Sequence, residues 1–243
     1  MKIIAIIQAR MGSTRLPGKV LLELGGETVL VRVLGRVRRM RTMDELVVAT
    51  TAESADDAIV ETASQNGALV FRGSKEDVLD RYYQAACSFD ADVIVRITAD
   101  CPLIDPGVSD HTVQQFLSVQ ADFGSNALER TYPRGLDTEV MTFSALKRAW
   151  EEASEPYQRA HVTPYLYQNP GQFHLLSVTH AADYSQHRWT LDTPEDLEFL
   201  RAVYARLGGE KNFGWREVLN LVEREPALSE INRQITQKAL HEG

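Results

Sequence analysis

The chain has 243 residues, 44% of them hydrophobic and 25% charged, with a formal net charge of −8. This composition supports one sizeable folded core and excludes disorder on compositional grounds. The acidic balance disfavours nucleic acid as a partner, because such a surface repels a phosphate backbone.

The two cysteines, Cys87 and Cys101, are too few for a disulfide scaffold and show no zinc-ligand spacing. No apolar segment approaches the ~20 residues needed to cross a membrane, so the cytoplasm is the expected compartment.

The Ile-rich run from Lys2 to Gln8 reads as a strand covered on both faces. It lacks a charged leader and runs into Arg10 instead of a small-residue cleavage site, so it is not a targeting peptide. A glycine-containing loop follows. Val29, Leu30, Val33, Leu34 and Val37 then recur at helical spacing and predict a helix over 28–40. Glu45–Thr50 reads as a second strand, and Ser54 with Asp57 as a capped helix start. Ala68–Phe71 is a third strand, and Ser74 with Asp77 opens a helix to about Ser88. Asp92–Ile97 is a fourth strand, after which Asp105-Pro106 caps another helix. This alternation implies a parallel sheet with right-handed crossovers and helices on both faces.

The second half is less regular. It predicts a strand over Thr138–Phe143, helices over Ser144–Ala153 and Gln158–Gln168, and a strand over Phe173–Thr179. Thr193 caps a further helix with Pro194 in its first turn, and the tail from Trp215 is amphipathic and helical. Leu219, Val222, Leu228 and Ile231 in that tail are expected to cap the domain, with a homodimer contact as the alternative. We expect one domain over 1–243 with an inserted subregion near 125–180.

The segment Gln8-Ala-Arg-Met-Gly-Ser-Thr-Arg-Leu-Pro-Gly-Lys19 directly follows the first strand. Ligands of open parallel sheets bind beyond the carboxyl ends of strands. Gly12 and its neighbours can present backbone N–H groups to phosphate oxygens, and Arg10, Arg15 and Lys19 add charge-assisted hydrogen bonds. A Walker A loop is excluded. Five residues separate Gly12 from Gly18, and Val20 stands where a hydroxyl should ligate Mg²⁺. Three cations at a strand end favour a triphosphate site over a solvated surface turn.

In Arg96-Ile-Thr-Ala-Asp100-Cys-Pro-Leu-Ile-Asp105, Asp100 lies just past a strand and offers the hard oxygen that Mg²⁺ takes, while Asp105 reads as a helix cap. Trp189-Thr-Leu-Asp192-Thr-Pro-Glu-Asp196 repeats that pattern, with Asp192 equally suited to metal ligation or to cap support. Asp137 and Glu139, two apart, would share one strand face, either for sugar hydroxyls or as a charged edge. Gly135 can let the backbone approach a ligand. Arg159 and His161, two apart on a helix, point apart.

The opening QARMGSTRLPGK, followed by LLELGGETVL, closely resembles that of the sugar-nucleotide cytidylyltransferases. The nearest branch is the spore coat polysaccharide biosynthesis protein F group, related to the acylneuraminate and 3-deoxy-manno-octulosonate enzymes. Gly135–Glu139, Arg159–Pro164 and Leu191–Glu198 resemble further family segments. The resemblance implies a Rossmann-like nucleotide-diphospho-sugar transferase fold, a mostly parallel three-layer α/β/α sheet. It implies transfer of a nucleotidyl group from CTP to a sugar or sugar acid, with pyrophosphate release, in surface polysaccharide precursor synthesis. Arg10, Ser13, Arg15 and Lys19 would then line the triphosphate pocket, with Gln8 and Ala9 near the base. Asp100 and Asp192 would share Mg²⁺, and Arg10, Lys19 and Asp100 would be catalytic. Arg96, Asp137, Glu139, Arg159 and His161 would meet the sugar. The middle motif reads ADCP where the octulosonate enzymes have GDEP, a difference that bears on the sugar. The alternative is a glycosyltransferase using a nucleotide-sugar donor, an enzyme type that commonly carries a metal-binding Asp-x-Asp.

Overall fold

The computed structural model describes residues 1–208 and 213–237. The Ile-rich run forms β1 (Ile3–Gln8), whose Ile3, Ala5 and Ile7 enter the core on one face and Ile4 and Ile6 on the other. Each of the buried isoleucines contributes roughly 1.5–3 kcal/mol. A hairpin of β2 (Glu23–Leu24) and β3 (Glu27–Thr28) turns at Gly25 and Gly26, both at positive φ. Thr28 then caps α1 (Val29–Val37) by accepting from the Val31 N–H.

The alternation continues through β4 (Glu45–Thr51), α2 (Asp57–Gln65), β5 (Leu69–Gly73), α3 (Val78–Ser88), β6 (Val93–Thr98) and α4 (Pro106–Val119). Asp77 caps α3 through the Asp80 N–H, and Asp105 caps α4 through the Gly107 and Val108 N–H groups. There follow β7 (Phe123–Ser125), β8 (Glu139–Thr142), α5 (Phe143–Glu152), α6 (Pro156–His161), α7 (Pro164–Tyr167) and β9 (Leu175–Ser177). The chain closes with α8 (Pro194–Leu207), α9 (Trp215–Arg224) and α10 (Ala227–Glu230).

Seven strands pair in the order β5-β4-β1-β6-β8-β7-β9. Among them β8 alone runs against its neighbours. One face carries α1, α2 and α4, and the other carries α3, α5 and α7. This is the mostly parallel α/β/α architecture of the Rossmann-like class. A third apolar cluster joins α8 and α9 to Trp189 and Leu191. Leu219, Val222 and Leu228 are buried in it, so these tail residues cap the chain's own core. The part of the expected helical tail beyond residue 237 lies outside the described residues.

Three details differ from the sequence reading. The helix over 158–168 is broken into α6 and α7, with Val162 at φ 74. Pro164 has no N–H to donate to the Ala160 carbonyl and its ring crowds that carbonyl, so the helix breaks, with the departure at Val162 and Thr163 still helical. Helical structure begins at Ser54 as expected, but Ser54–Asp56 is a 3₁₀ turn, α2 proper starts at Asp57, and the Asp56 carboxylate turns inward instead of capping it. Strand β7 was not foreseen, since Phe-Gly-Ser offers no apolar periodicity. Among the described residues, no helix is long and apolar enough to cross a membrane.

Candidate active site

Gln8 and Thr98, the last residues of β1 and β6, pair in register, so the chain leaves both strands into the same space. After β1, the N–H groups of Ser13 and Gly18 both donate to the Met11 carbonyl, at 2.9 and 3.0 Å. Gly18 allows this return with φ 68, a conformation that strains residues bearing a Cβ. The Met11 N–H donates to Asp56 Oδ1 at 2.8 Å. Asp56 Oδ2 accepts from the hydroxyls of Thr50 and Thr51 at 3.0 and 2.5 Å. Burial pushes the Asp56 carboxyl up, but these donors outweigh it and hold its pKa below the ordinary value. The basic loop is therefore fastened to the end of β4.

After β6, Asp100 is joined to a distant segment by the Leu191 N–H, which donates to its carbonyl at 2.8 Å. Asp192 follows and lies beside it. Lys19 Nζ donates to Asp100 Oδ2 at 2.6 Å, to Asp192 Oδ1 at 2.6 Å and to the Leu191 carbonyl at 2.8 Å. Arg15 and Arg188 reach Asp192 Oδ2 at 2.9 and 3.3 Å, and the Thr98 hydroxyl donates to Asp100 Oδ1 at 2.6 Å. Burial disfavours the Lys19 ammonium, but the two carboxylates more than offset it and its pKa lies above the ordinary lysine value. Burial likewise opposes the Asp100 carboxylate, and Lys19 and Thr98 reverse the effect, leaving its pKa depressed. Cap support at α8 comes instead from Thr193 and Asp196, which exchange hydrogen bonds in a capping box. Asp196 also takes Arg188 in two hydrogen bonds of 2.9 Å, which fixes that guanidinium.

The opposite wall starts from Arg96, which donates to Gln8 Oε1 at 3.0 Å and pairs with Glu139 on β8. Burial opposes the Arg96 charge and Glu139 outweighs it. Glu139 also accepts from the Thr163 hydroxyl at 2.9 Å. Asp137 is gripped by two nitrogens of Arg130, at 2.5 and 2.8 Å. Gly135 sits at φ 108, and a Cβ there would lie 2.7 Å from the Trp189 carbonyl. The close approach that this glycine permits is to Trp189, not to open space for a ligand.

These walls enclose a cleft of about 790 Å³. From the basic loop, Gln8, Ala9, Arg10, Ser13, Arg15 and Lys19 line it, whereas Gly12 does not. Asp100 and Asp192 line its floor, and Arg96, Asp137 and His161 face it from the other side. Glu139 stands behind Arg96. Arg159 is turned away, bound to Asp77 and to the Trp150 carbonyl at 2.7 Å. Its place ties α6 to α3. Sequence reasoning passed over Asp56, which looked like part of a helix start, and left Arg81 and Arg134, which also line the cleft, unassigned. No local signal marks Asp56, because its role depends on Met11 in a distant segment. Among the described residues no three His, Cys, Asp or Glu side chains converge as a metal centre. Asp100 and Asp192 nevertheless aim one oxygen each at a single positive centre, the donor pair a hard divalent cation takes.

The cytidylyltransferase family profile matches residues 4–224. The chain belongs to the cytidylyltransferase family. It is 35% identical over 235 residues to the spore coat polysaccharide biosynthesis protein SpsF of Bacillus subtilis, covering 92% of this chain and 95% of that one. A solved cytidylyltransferase from Leptospira borgpetersenii superposes with a TM-score of 0.91 at 38% identity, covering 98% of this chain and all of that one. A CMP:2-keto-3-deoxy-manno-octonic acid synthetase solved with CTP shares the fold, with a TM-score of 0.66 at 20% identity, over 85% of this chain and 99% of that one. Membership makes the chain a nucleotidyltransferase, and the cleft at the ends of β1 and β6 is where its fold class binds ligands.

Proposed function

We propose that the chain transfers the cytidylyl group of CTP to a hydroxyl of a sugar or sugar acid and releases pyrophosphate, with Mg²⁺ held by Asp100 and Asp192. The observation that carries this reading is the convergence of Lys19, Asp100 and Asp192, which lie 81 and 173 residues from Lys19 in sequence, within one cleft. CTP as donor is supported by the family and by the CTP-bound synthetase of the same fold.

The acceptor oxygen bonds to the α-phosphorus, the bond to the bridging oxygen of pyrophosphate breaks with its electron pair leaving on pyrophosphate, and the hydroxyl proton passes to water. Such transfer depends on positioning and charge neutralisation more than on covalent chemistry. When bound, Mg²⁺ would act as a Lewis acid toward phosphoryl oxygens. Arg10 makes no side-chain hydrogen bond among the described residues, and its guanidinium is available to the triphosphate. Cys101 also lines the cleft, where burial, and next the neighbouring Asp100, push its thiol well above the ordinary range and disfavour the thiolate. That favours direct displacement. Arg96, Asp137 and His161 form the wall we assign to the sugar. By likeness to SpsF, the activated sugar would serve surface polysaccharide synthesis in the cytoplasm.

The glycosyltransferase alternative meets an obstacle in the structure. The chain's Asp-x-Asp, Asp90-Ala91-Asp92, precedes β6, where Asp92 accepts from the Lys2 N–H at 2.7 Å. That is the end of the sheet away from the cleft. The test is a pyrophosphate assay with each nucleoside triphosphate, Mg²⁺ and a panel of sugars and sugar acids. Release that requires both CTP and a sugar supports the reading. Sugar transfer from a nucleotide-sugar, without pyrophosphate, would replace it.

A further inference from the structure

An ammonium has three donors, and all three of Lys19 are in use, on Asp100 Oδ2, Asp192 Oδ1 and the Leu191 carbonyl. In this arrangement Lys19 has no donor left for a phosphate oxygen, although its loop is the part of the cleft suited to phosphate. The other oxygens of the two carboxylates are also engaged, by Thr98 on Asp100 and by Arg15 and Arg188 on Asp192. The chain thus neutralises its own carboxylate pair. The side chain of Lys19 is only 12% exposed, so its charge is not shared with bulk water. A divalent cation taking the same two oxygens would meet the ammonium at contact distance, where like charges at a few ångströms repel strongly.

We infer that Lys19 is the resident counter-ion of the Asp100–Asp192 pair, and that a divalent cation and a triphosphate bind cooperatively because each takes one half of this ion pair. The cation takes the carboxylates and the phosphate chain takes the released ammonium. This rests on the nucleotidyl-transfer reading for the identity of the triphosphate, but not for the competition itself. Coupling of this kind is reciprocal: whichever ligand removes Lys19 from the carboxylates favours the other. The backbone bond between Leu191 and Asp100 does not involve Lys19, so it keeps the two carboxylates together when the ammonium is absent, while Arg15 and Arg188 stay on Asp192.

The experiment measures Mn²⁺ binding to the nucleotide-free protein, by electron paramagnetic resonance of the unbound ion. Wild type, Lys19→Met and the double variant Lys19→Met/Asp100→Asn are compared, with melting curves for each. Lys19→Met is expected to bind Mn²⁺ at least 10-fold more tightly than wild type, and the double variant to lose that gain. Equal affinity in a folded Lys19→Met protein would overturn the inference. Should that variant not fold, chemical acetylation of Lys19 in wild type decides. Labelling slow without metal and faster with saturating Mg²⁺ supports displacement, and a rate indifferent to Mg²⁺ refutes it. Failure of the cytidylyl-transfer reading would show separately, as absence of CTP-dependent pyrophosphate release, and would leave these metal measurements unchanged.

Discussion

The Leu191 N–H and the Asp100 carbonyl, 2.8 Å apart, hold together two segments that are remote in sequence. Because the contact is between backbones, Asp192 is delivered to Asp100 whatever their side chains carry. Asp100→Asn and Asp192→Asn should therefore fold and still fail as catalysts. We expect each to lower kcat by roughly 10²–10³, the scale seen when one preorganised electrostatic group is lost. Steady-state kinetics alongside thermal melts check this. Near-wild-type kcat in either variant would show that its carboxylate is not part of the chemistry.

Asp56 should behave as a positioning residue. Its carboxylate holds the Met11 N–H, and with it the loop that carries Arg10 and Ser13. In Asp56→Asn one acceptor oxygen becomes a donor facing donors, which costs about 1–3 kcal/mol. We expect the KM for CTP to rise more than kcat falls. The pH dependence follows from the depressed pKa. The unfolded carboxyl titrates near about 3.9, so the stabilisation is complete above that pH and is lost as pH falls through the lower folded value. Acid melts of Asp56→Asn should be flatter than wild type below pH ~4. A parallel acid limb would contradict this.

Arg96 and Glu139 are register partners across β6 and β8, and both are largely buried. Removing one alone strands a charge. Glu139→Met or Arg96→Met should destabilise by about 3–5 kcal/mol, while the double variant Arg96→Met/Glu139→Met should cost less than the sum. Denaturant titrations of the four proteins close the cycle, and strict additivity would show that the pair is not coupled.

The Arg96–Glu139 pair also shows where sequence reading stops. Glu139 was legible as a family motif residue and as a strand residue, but its partner depends on β8 inserting antiparallel beside β6, which no local pattern announces. Arg159 sits in an equally recognisable motif and is bound to Asp77, the cap of α3, instead of facing the cleft. By contrast, Lys19 and Asp100 were readable from their places beyond the ends of β1 and β6, positions that parallel-sheet topology sends to one end, whereas Asp192 stood open between ligand and cap support until the family resemblance joined it to Asp100. Asp56 was not, because its partner Met11 is reached only when the basic loop folds back onto β4.

Gly135 makes a separate claim. At φ 108, with the Trp189 carbonyl 2.7 Å from a would-be Cβ, alanine is strained and also clashes. Gly135→Ala should lose at least about 1–3 kcal/mol, read from the melting temperature. Unchanged stability would mean that the 135–189 contact opens readily.

On the proposed reading, one cleft holds a cytidine triphosphate between a basic loop and two carboxylates. A thermal-shift screen of CTP, UTP, ATP and GTP with Mg²⁺ tests it most directly. A ligand at 100 times its Kd adds about 2.7 kcal/mol, enough to raise Tm by several degrees in a protein of this size. CTP should give the largest shift, and Arg10→Ala and Lys19→Met should sharply reduce it. Equal shifts from all four nucleotides, or a CTP shift untouched by both substitutions, would contradict it.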